Sequence, residues 1–481
     1  MADNFLKNNL TGFHIHFVGI KGTGMAALVE IMHSRGAVIT GSDVPEHFYT
    51  DEILSKLHIV PYTTFDEKNV TDDTKLVIYS AAYKKETNPE LAAAEKKHIP
   101  LMLYSEALGA ISETSFSCGI CGVHGKTTTT GISGTVLNEL GLPFQALAGS
   151  VIGSFGDTCT ITRGHKYFIA ETCEYQRHFM AFCPQIIILT SVESDHEDYY
   201  PTFKDIQNAF VDYALKLPKD TGKLIYCADD SGAAETVGII KQQRPDITLI
   251  PYGDSAKGDF NITFGSVKDE KQYFTLKGFD VEFYTRMPGK HIVRNCTAAI
   301  ALAVELLKQE NLPVSADNIE KIRKGISSFC GAKRRSEIVG KVDDVLVMDD
   351  YAHHPTAIKT TLQGLKAFYP SRRLVVDFMS HTYTRTAALF DDFARSFDAA
   401  DEVILHKIYP SAREKYDGTV TGRALYEKTK KYHSNVHYFE EVMDAEDYVR
   451  STLKDGDLFI TMGAGDNWKL GKAFIEKGKQ L

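Results

Sequence analysis

Along the chain, short runs of apolar and β-branched residues alternate with helical stretches, and the alternation starts three times. Residues 14–18 read as a strand, 25–35 as a helix and 37–40 as a second strand, the repeating unit of a parallel sheet with helices on its faces. A new strand leads into Gly122 and a helix over 127–140. A third start comes at the strand 345–348, followed by strands at 374–378 and 402–405. Between the second and third, residues 261–285 alternate apolar and polar positions with glycine punctuation, which predicts a small antiparallel sheet inserted in the middle domain. The chain therefore reads as an α/β protein with boundaries near residues 112 and 332, giving domains 1–112, 113–332 and 333–481. A length of 481 residues suits more than one core.

Composition narrows the class. A hydrophobic share of 43% and a charged share of 24% are those of soluble globular protein. The richest apolar run, 298–307, contains Glu305 and is shorter than the roughly 20 residues a bilayer requires, so it predicts a buried helix and no membrane insertion. The first ten residues carry Asp3 and a lone Lys7 without an apolar core, so no secretion signal is read and a cytoplasmic location is expected. A net charge of -9 and a pI near 6.0 argue against nucleic acid as partner. Cys118 and Cys121 form a CxxC, but no second ligand pair follows at zinc spacing, and the eight cysteines are expected to be reduced thiols.

Two glycine loops carry the candidate chemistry. Gly22-Thr23-Gly24-Met25-Ala26-Ala27 fits the dinucleotide fingerprint, follows a strand, opens a helix and is followed by Asp43 at the end of the next strand. The glycines let backbone approach a diphosphate and the helix start supplies partial positive charge; a diphosphate is specified, a nicotinamide is not. The second loop, GVHGKTT over residues 122–128, sits where a strand turns into a helix. Its backbone N–H groups are placed to cradle phosphates, Lys126 to reach the β/γ oxygens and Thr127 to bind Mg²⁺. The glycine of a longer phosphate loop falls on Ile120, so this is a shorter G-x-x-G-K-T loop. Glu171 ends a strand over 167–170, and Asp195-His196 follows a strand over 186–189. Strand ends of a parallel sheet open on one crevice, so Glu171 and His196 are candidates to complete a Mg²⁺ site with Thr127.

These motifs resemble, in order, those of the Mur ligases: GVHGKTTTT from Gly122, Glu171-Thr172-Cys173-Glu174, Asp195-His196, Gly289-Lys290-His291 with Asn295, Gly331 to Arg335, Asp349 to Pro355, His381 to Thr386 and Gly463 to Gly465. The match runs over nearly the whole chain, and the last four are similar to those of members that add L-alanine. The resemblance implies a Rossmann-like first domain for the UDP of a sugar nucleotide, a central phosphate-loop domain for ATP, and a Rossmann-like third domain for the amino acid. The activity it implies is ATP-dependent joining of L-alanine to the carboxylate of UDP-N-acetylmuramate in peptidoglycan synthesis, by a monomer or weak homodimer.

Carried onto this chain, the resemblance implies catalytic roles for Lys126, Glu171, His196 and Arg335, with Thr127, Glu171 and His196 at the metal. ATP contacts fall on Gly122, Val123, His124, Gly125, Lys126, Thr127, Thr128, His291, Asn295, Arg335 and Asp350. UDP-sugar contacts fall on Gly19, Gly22, Thr23, Gly24, Ser42, Asp43 and Ser80, and amino-acid contacts on His354, His381 and Arg385. The chain departs from the family pattern at Val123, Thr172, Cys173, Ile292 and Thr382. Other readings are a sister ligase that attaches a ready-made peptide, a nicotinamide oxidoreductase, which explains only the first loop, and a non-catalytic nucleotide-binding regulator. Lys126 and Glu171 are expected to face a solvent-filled crevice, so that their removal spares the fold.

Overall fold

A computed structural model describes residues 6, 9–196, 199–410, 418 and 420–478. The chain forms two compact units. The first holds the chain up to Glu193 with Phe203–Asn261 and Asn295–Phe329; the second holds Ser194–Thr202, Ile262–Arg294 and the chain from Cys330 onward.

The first unit opens with β1 (His14–Val18), α1 (Thr23–Ser34), β2 (Val38–Ser42), α2 (Thr50–Lys56), β3 (Leu76–Tyr79), α3 (Pro89–Lys96), β4 (Leu101–Leu103) and α4 (Tyr104–Ser112). The four strands form a parallel sheet in the order β2-β1-β3-β4. Every residue of β1 is buried, as a strand covered on both faces requires. The start of α3 is set by Asn88, whose side chain accepts from the N–H groups of Glu90 and Leu91, with Pro89 at the first helical position.

Its second sheet is built from β5 (Phe116–Cys121), β6 (Phe144–Ile152), β7 (Thr158–Thr162), β8 (Tyr167–Glu171), β9 (Ile186–Leu189), β10 (Lys223–Cys227) and β11 (Thr248–Tyr252). Their order is β11-β10-β9-β5-β8-β6-β7, parallel except for the edge strand β7. The connecting helices are α5 (Lys126–Leu140), α6 (Phe203–Ala214) and α7 (Ser231–Gln243). With β5 between β8 and β9, the loops after these three strands open at one end of the sheet, where α/β proteins place their ligands. α5 stops at Gly141, whose φ of 72° suits glycine.

Next come the antiparallel strands β12 (Ile262–Lys268), β13 (Lys271–Leu276) and β14 (Glu282–Thr285), in the segment where alternation predicts them. α8 (Lys290–Gln309) contains the apolar run 298–307, buried throughout; its Glu305 pairs with Lys223 at 2.6 Å and Lys308 at 2.7 Å. α9 (Ala316–Ser328) packs on α5 through Gly325, where a Cβ would lie 2.6 Å from the Val136 Cα.

The remaining sheet comprises β15 (Glu337–Val342), β16 (Val345–Asp350), β17 (Arg373–Phe378), β18 (Glu402–Leu405), β19 (Val436–Tyr438) and β20 (Asp457–Met462). Its order is β15-β16-β20-β17-β18-β19, with β15 antiparallel. The helices here are α10 (Pro355–Phe368), α11 (Tyr383–Ala388), α12 (Phe390–Ala394), α13 (Gly422–Thr429), α14 (Glu446–Thr452) and α15 (Trp468–Gly478). One face buries Met348, Val376, Phe378 and Leu405, the other Val347, Val375, Ile404 and Phe459. Each such buried apolar side chain contributes about 1.5–3 kcal/mol. β16 runs two residues beyond the predicted 345–348, because Asp349 and Asp350 pair in register with Thr461 and Met462 and their carboxylates find partners. All eight cysteines are free, and burial pushes the Cys118 and Cys121 thiols up. No helix among the described residues is long and apolar enough to cross a membrane.

Candidate active site

The second glycine loop leaves β5 at Gly122, with φ of 130°, and enters α5 through Gly125, with φ of 85°. No side chain caps α5, so its first turn keeps backbone donors for a phosphate. The loop is braced from the segment after β9: the Val123 N–H donates to the Ser191 carbonyl (3.1 Å) and the His124 N–H to Ser191 Oγ (2.8 Å). His124 Nε2 lies 3.1 Å from Glu193.

Lys126 Nζ donates to the Gly122 carbonyl at 2.6 Å and to both oxygens of Glu174 at 3.0 and 3.1 Å. Burial works against the charge, but the Glu174 carboxylate more than offsets it and holds the ammonium above its ordinary range. The two side chains are 13% and 3% exposed, so the crevice expected around Lys126 is nearly closed by its partner. Thr127 Oγ1 donates to Glu171 Oε2 at 2.7 Å, and the Gly149 N–H donates to the same oxygen at 2.8 Å. Gly149 is glycine for space, since a Cβ there would lie 2.5 Å from that oxygen. A hydroxyl and a carboxylate in contact are hard oxygen donors of the kind Mg²⁺ takes. Asn295 faces this loop, with its Oδ1 3.0 Å from where a Gly125 Cβ would stand. Glu171 also lines a cavity of about 130 Å³ with Tyr104, Leu108, Leu147, Gly149 and Phe182.

The first glycine loop is built differently. Gly22 precedes α1 without a side-chain cap. Gly19 has φ of 85° and meets Tyr83 and Ser80; a Cβ on Gly24 would lie 2.8 Å from the Tyr104 ring. Asp43 accepts from the N–H groups of Lys21 (2.7 Å) and Val44 (2.8 Å) and from the Tyr83 hydroxyl (3.1 Å). Its carboxylate thus braces the loop, whereas a dinucleotide site needs that acid to meet a ribose. Ser42 is fully buried with its hydroxyl on Glu90, and Ser80 Oγ accepts from the Ala82 N–H at 3.3 Å. Thr23 Oγ1 and the Tyr49 hydroxyl are 2.5 Å apart.

The second unit gathers another group. His196 has φ of 58°, unusual for a residue with a Cβ, and its N–H donates to Asp195 Oδ1 at 2.8 Å. Arg385 Nη2 donates to the same oxygen at 2.6 Å. Burial pushes the Asp195 carboxyl up, but the Arg385 guanidinium beside it pulls harder and holds it well below the usual carboxylate range. The His353 ring lies 6.4 Å from His381, which stacks near Tyr409. Burial and Arg385 keep His353 well below its ordinary value, so it is neutral. His354, which the resemblance places at the amino acid, accepts from the Thr356 N–H at 3.4 Å as the cap of α10; Asp195 and His353, present in the motifs but given no binding role there, are the neighbours of Arg385 and His381. Pro355 at the first helical position marks the residue before it as the helix cap. Thr382 caps α11, accepting from the Arg385 N–H at 3.3 Å. Arg335 lies over the Tyr351 ring at 5.2 Å and forms no ion pair among the described residues. Asp350 accepts from Ser336 and Ala352, and burial pushes its carboxyl up. The His291 ring packs against Gly289.

A nucleotide-type glycine loop with a hydroxyl–carboxylate pair, on the second of three α/β sheets along the chain, is the arrangement of a nucleotide-binding α/β enzyme. Three family models match in order: the Mur ligase catalytic domain over residues 14–115, the Mur ligase middle domain over 120–303 and the Mur ligase glutamate ligase domain over 334–465. The chain belongs to the Mur ligase family and has its three-domain α/β fold. It is 50% identical over 480 residues to the UDP-N-acetylmuramate--L-alanine ligase of Treponema pallidum (strain Nichols), with 100% of both chains covered. It is 40% identical over 463 residues to the enzyme of the same name from Borreliella burgdorferi, covering 95% of this chain and 97% of that one. The crystal structure of UDP-N-acetylmuramate-alanine ligase MurC from Thermotoga maritima shares the fold, with a TM-score of 0.77, 24% identity and coverage of 97% and 99%.

Proposed function

We propose that this protein joins L-alanine to the carboxylate of UDP-N-acetylmuramate, consuming ATP, in cytoplasmic peptidoglycan synthesis. The observation that carries the reading is the 50% identity over the whole chain to a ligase of that name. Domain 1–112 is assigned to the UDP-sugar, 113–332 to ATP and 333–481 to the amino acid. The first loop receives the diphosphate on the backbone of Gly19, Gly22, Thr23 and Gly24, and Ser42, Asp43 and Ser80 hold its shape.

A free carboxylate is a poor acyl donor. Its oxygen attacks the γ-phosphorus of ATP, the bond to the β-phosphate oxygen breaks, and ADP leaves. The amine of L-alanine then attacks the acyl phosphate, loses a proton and expels inorganic phosphate. Lys126 leaves Glu174 for the β/γ oxygens, and Arg335, which forms no ion pair among the described residues, takes transferring charge. Thr127, Glu171 and His196 would hold Mg²⁺, which neutralises phosphate charge when bound. Asn295 and His291 contact the adenine side, Asp350 the ribose, and Arg385, His381 and His354 the amino acid. Phosphate release with ATP, Mg²⁺ and UDP-N-acetylmuramate tests the reading against L-alanine, glycine, L-serine and a tripeptide. Fastest release with L-alanine supports it; preference for the tripeptide turns the chain into a peptide-adding sister ligase.

A further inference from the structure

Asp195 and Arg385 are 190 residues apart in sequence and meet as a buried pair inside the second unit, 6% and 8% exposed. A buried ion pair is weak evidence of stabilisation, because taking both charges out of water opposes their attraction. What such a pair does supply is orientation. Asp195 Oδ1 is fixed by the N–H of His196 at 2.8 Å and accepts one end of the guanidinium at 2.6 Å. Arg385 Nε, beside Nη2 on the same edge of the guanidinium, is buried with no hydrogen-bond partner among the described residues. A buried N–H left unsatisfied is costly, and a guanidinium held through a single Nη keeps further donors with which to meet a second carboxylate. Thr382 caps the short helix that carries Arg385, so the side chain is fixed at its base as well.

We infer that Asp195 is a positioning residue for amino-acid binding: it clamps one Nη of Arg385 so that the remaining donors stay turned toward the α-carboxylate of the incoming amino acid. The inference rests on the reading of Arg385 as an amino-acid contact. Asp195 itself touches neither substrate, and its charge is what keeps the guanidinium in one rotamer. Arginine without this clamp still binds a carboxylate but must first be ordered, so the loss falls on affinity for the amino acid and leaves affinity for ATP and the UDP-sugar in place.

The test is steady-state kinetics of the full-length enzyme with Asp195→Asn, Asp195→Glu, Arg385→Ala and the double variant Asp195→Asn/Arg385→Ala. Asp195→Asn keeps the shape and a weaker acceptor, and thermal melting reports that each variant is folded. The expected result is a KM for L-alanine raised about tenfold in Asp195→Asn, with KM for ATP and UDP-N-acetylmuramate within about twofold of wild type. Asp195→Glu should recover part of the loss. Adding Asp195→Asn to Arg385→Ala should change nothing further, because the clamp has lost its object. An unchanged alanine KM in Asp195→Asn, or a multiplicative effect in the double variant, overturns the positioning role while leaving Arg385 assigned. An unchanged alanine KM in Arg385→Ala instead sinks the assignment of Arg385 on which the inference stands.

Discussion

The two glycine loops of the first unit share a plan and differ in what reaches into them. Each leaves a parallel strand, turns on glycines and enters a helix that no side chain caps. In the first, the charged neighbours are turned away: Lys21 Nζ donates to the carbonyls of Val44 and Glu46, and Asp43 is spent on the loop's own N–H groups. In the second, Lys126, Thr127, Glu171 and Glu174 converge on the turn. Backbone dipoles alone suffice to hold a diphosphate, whereas breaking a phosphoanhydride needs charge aimed at where charge develops. The glycine pattern states that a phosphate binds; the side chains around it state whether it reacts.

The largest effect expected from breaking this contrast comes at Lys126. Lys126→Ala should lower turnover by at least about 10²–10³, the loss typical of a preorganised charge-stabilising group. It should also lower the melting temperature, because Glu174, 3% exposed, is left without its ammonium. The sequence-based expectation that folding survives this change is revised by that pairing. Adding Glu174→Gln should restore the melting temperature and leave turnover low, which separates the two roles in one pair of measurements.

A smaller effect is expected at the first loop. Gly24→Ala places a Cβ 2.8 Å from the Tyr104 ring. Such overpacking costs about 1–3 kcal/mol. KM for UDP-N-acetylmuramate should rise by about tenfold or more, with the KM for ATP unchanged, as steady-state kinetics would show. Equal rises for both would mean that the loops are not separate sites.

The smallest concerns the helix behind that loop. Glu30 lies in α1, which packs on β6 and β7, and burial pushes its carboxyl up to about 7 from an ordinary 4.5. The folded protein then holds this proton more tightly than the unfolded chain does. Its contribution is full below about pH 4.5 and is lost as pH rises through 7. Glu30→Gln should therefore be more stable than wild type at pH 8, by about 1 kcal/mol after allowance for solvent screening, and show no difference at pH 4, as denaturant unfolding at the two pH values would show.

Much of this was legible beforehand because parallel strands, phosphate loops and their strand-end acids are local in sequence. The restarts of the alternating pattern, the insertion over 261–285 and the Thr127–Glu171 contact all follow from periods and strand ends. Pairings between distant segments were not legible. Nothing in the sequence around Asp195 says that it meets Arg385, nor around Glu174 that it holds Lys126, because long-range side-chain contacts depend on how sheets and loops are stacked. Asp43 and Ser42 show the converse: a residue type suited to a ligand can be taken up by the protein itself, Asp43 by the loop and Ser42 by Glu90 of α3.

The division of labour between the loops is tested most directly by giving the enzyme ATP, Mg²⁺ and UDP-N-acetylmuramate and withholding the amino acid. The account predicts an acyl phosphate on the sugar nucleotide, trapped by borohydride reduction or seen as positional isotope exchange in ATP, and its absence in Lys126→Ala. An enzyme that turns over with L-alanine yet gives neither signal without it would contradict the account.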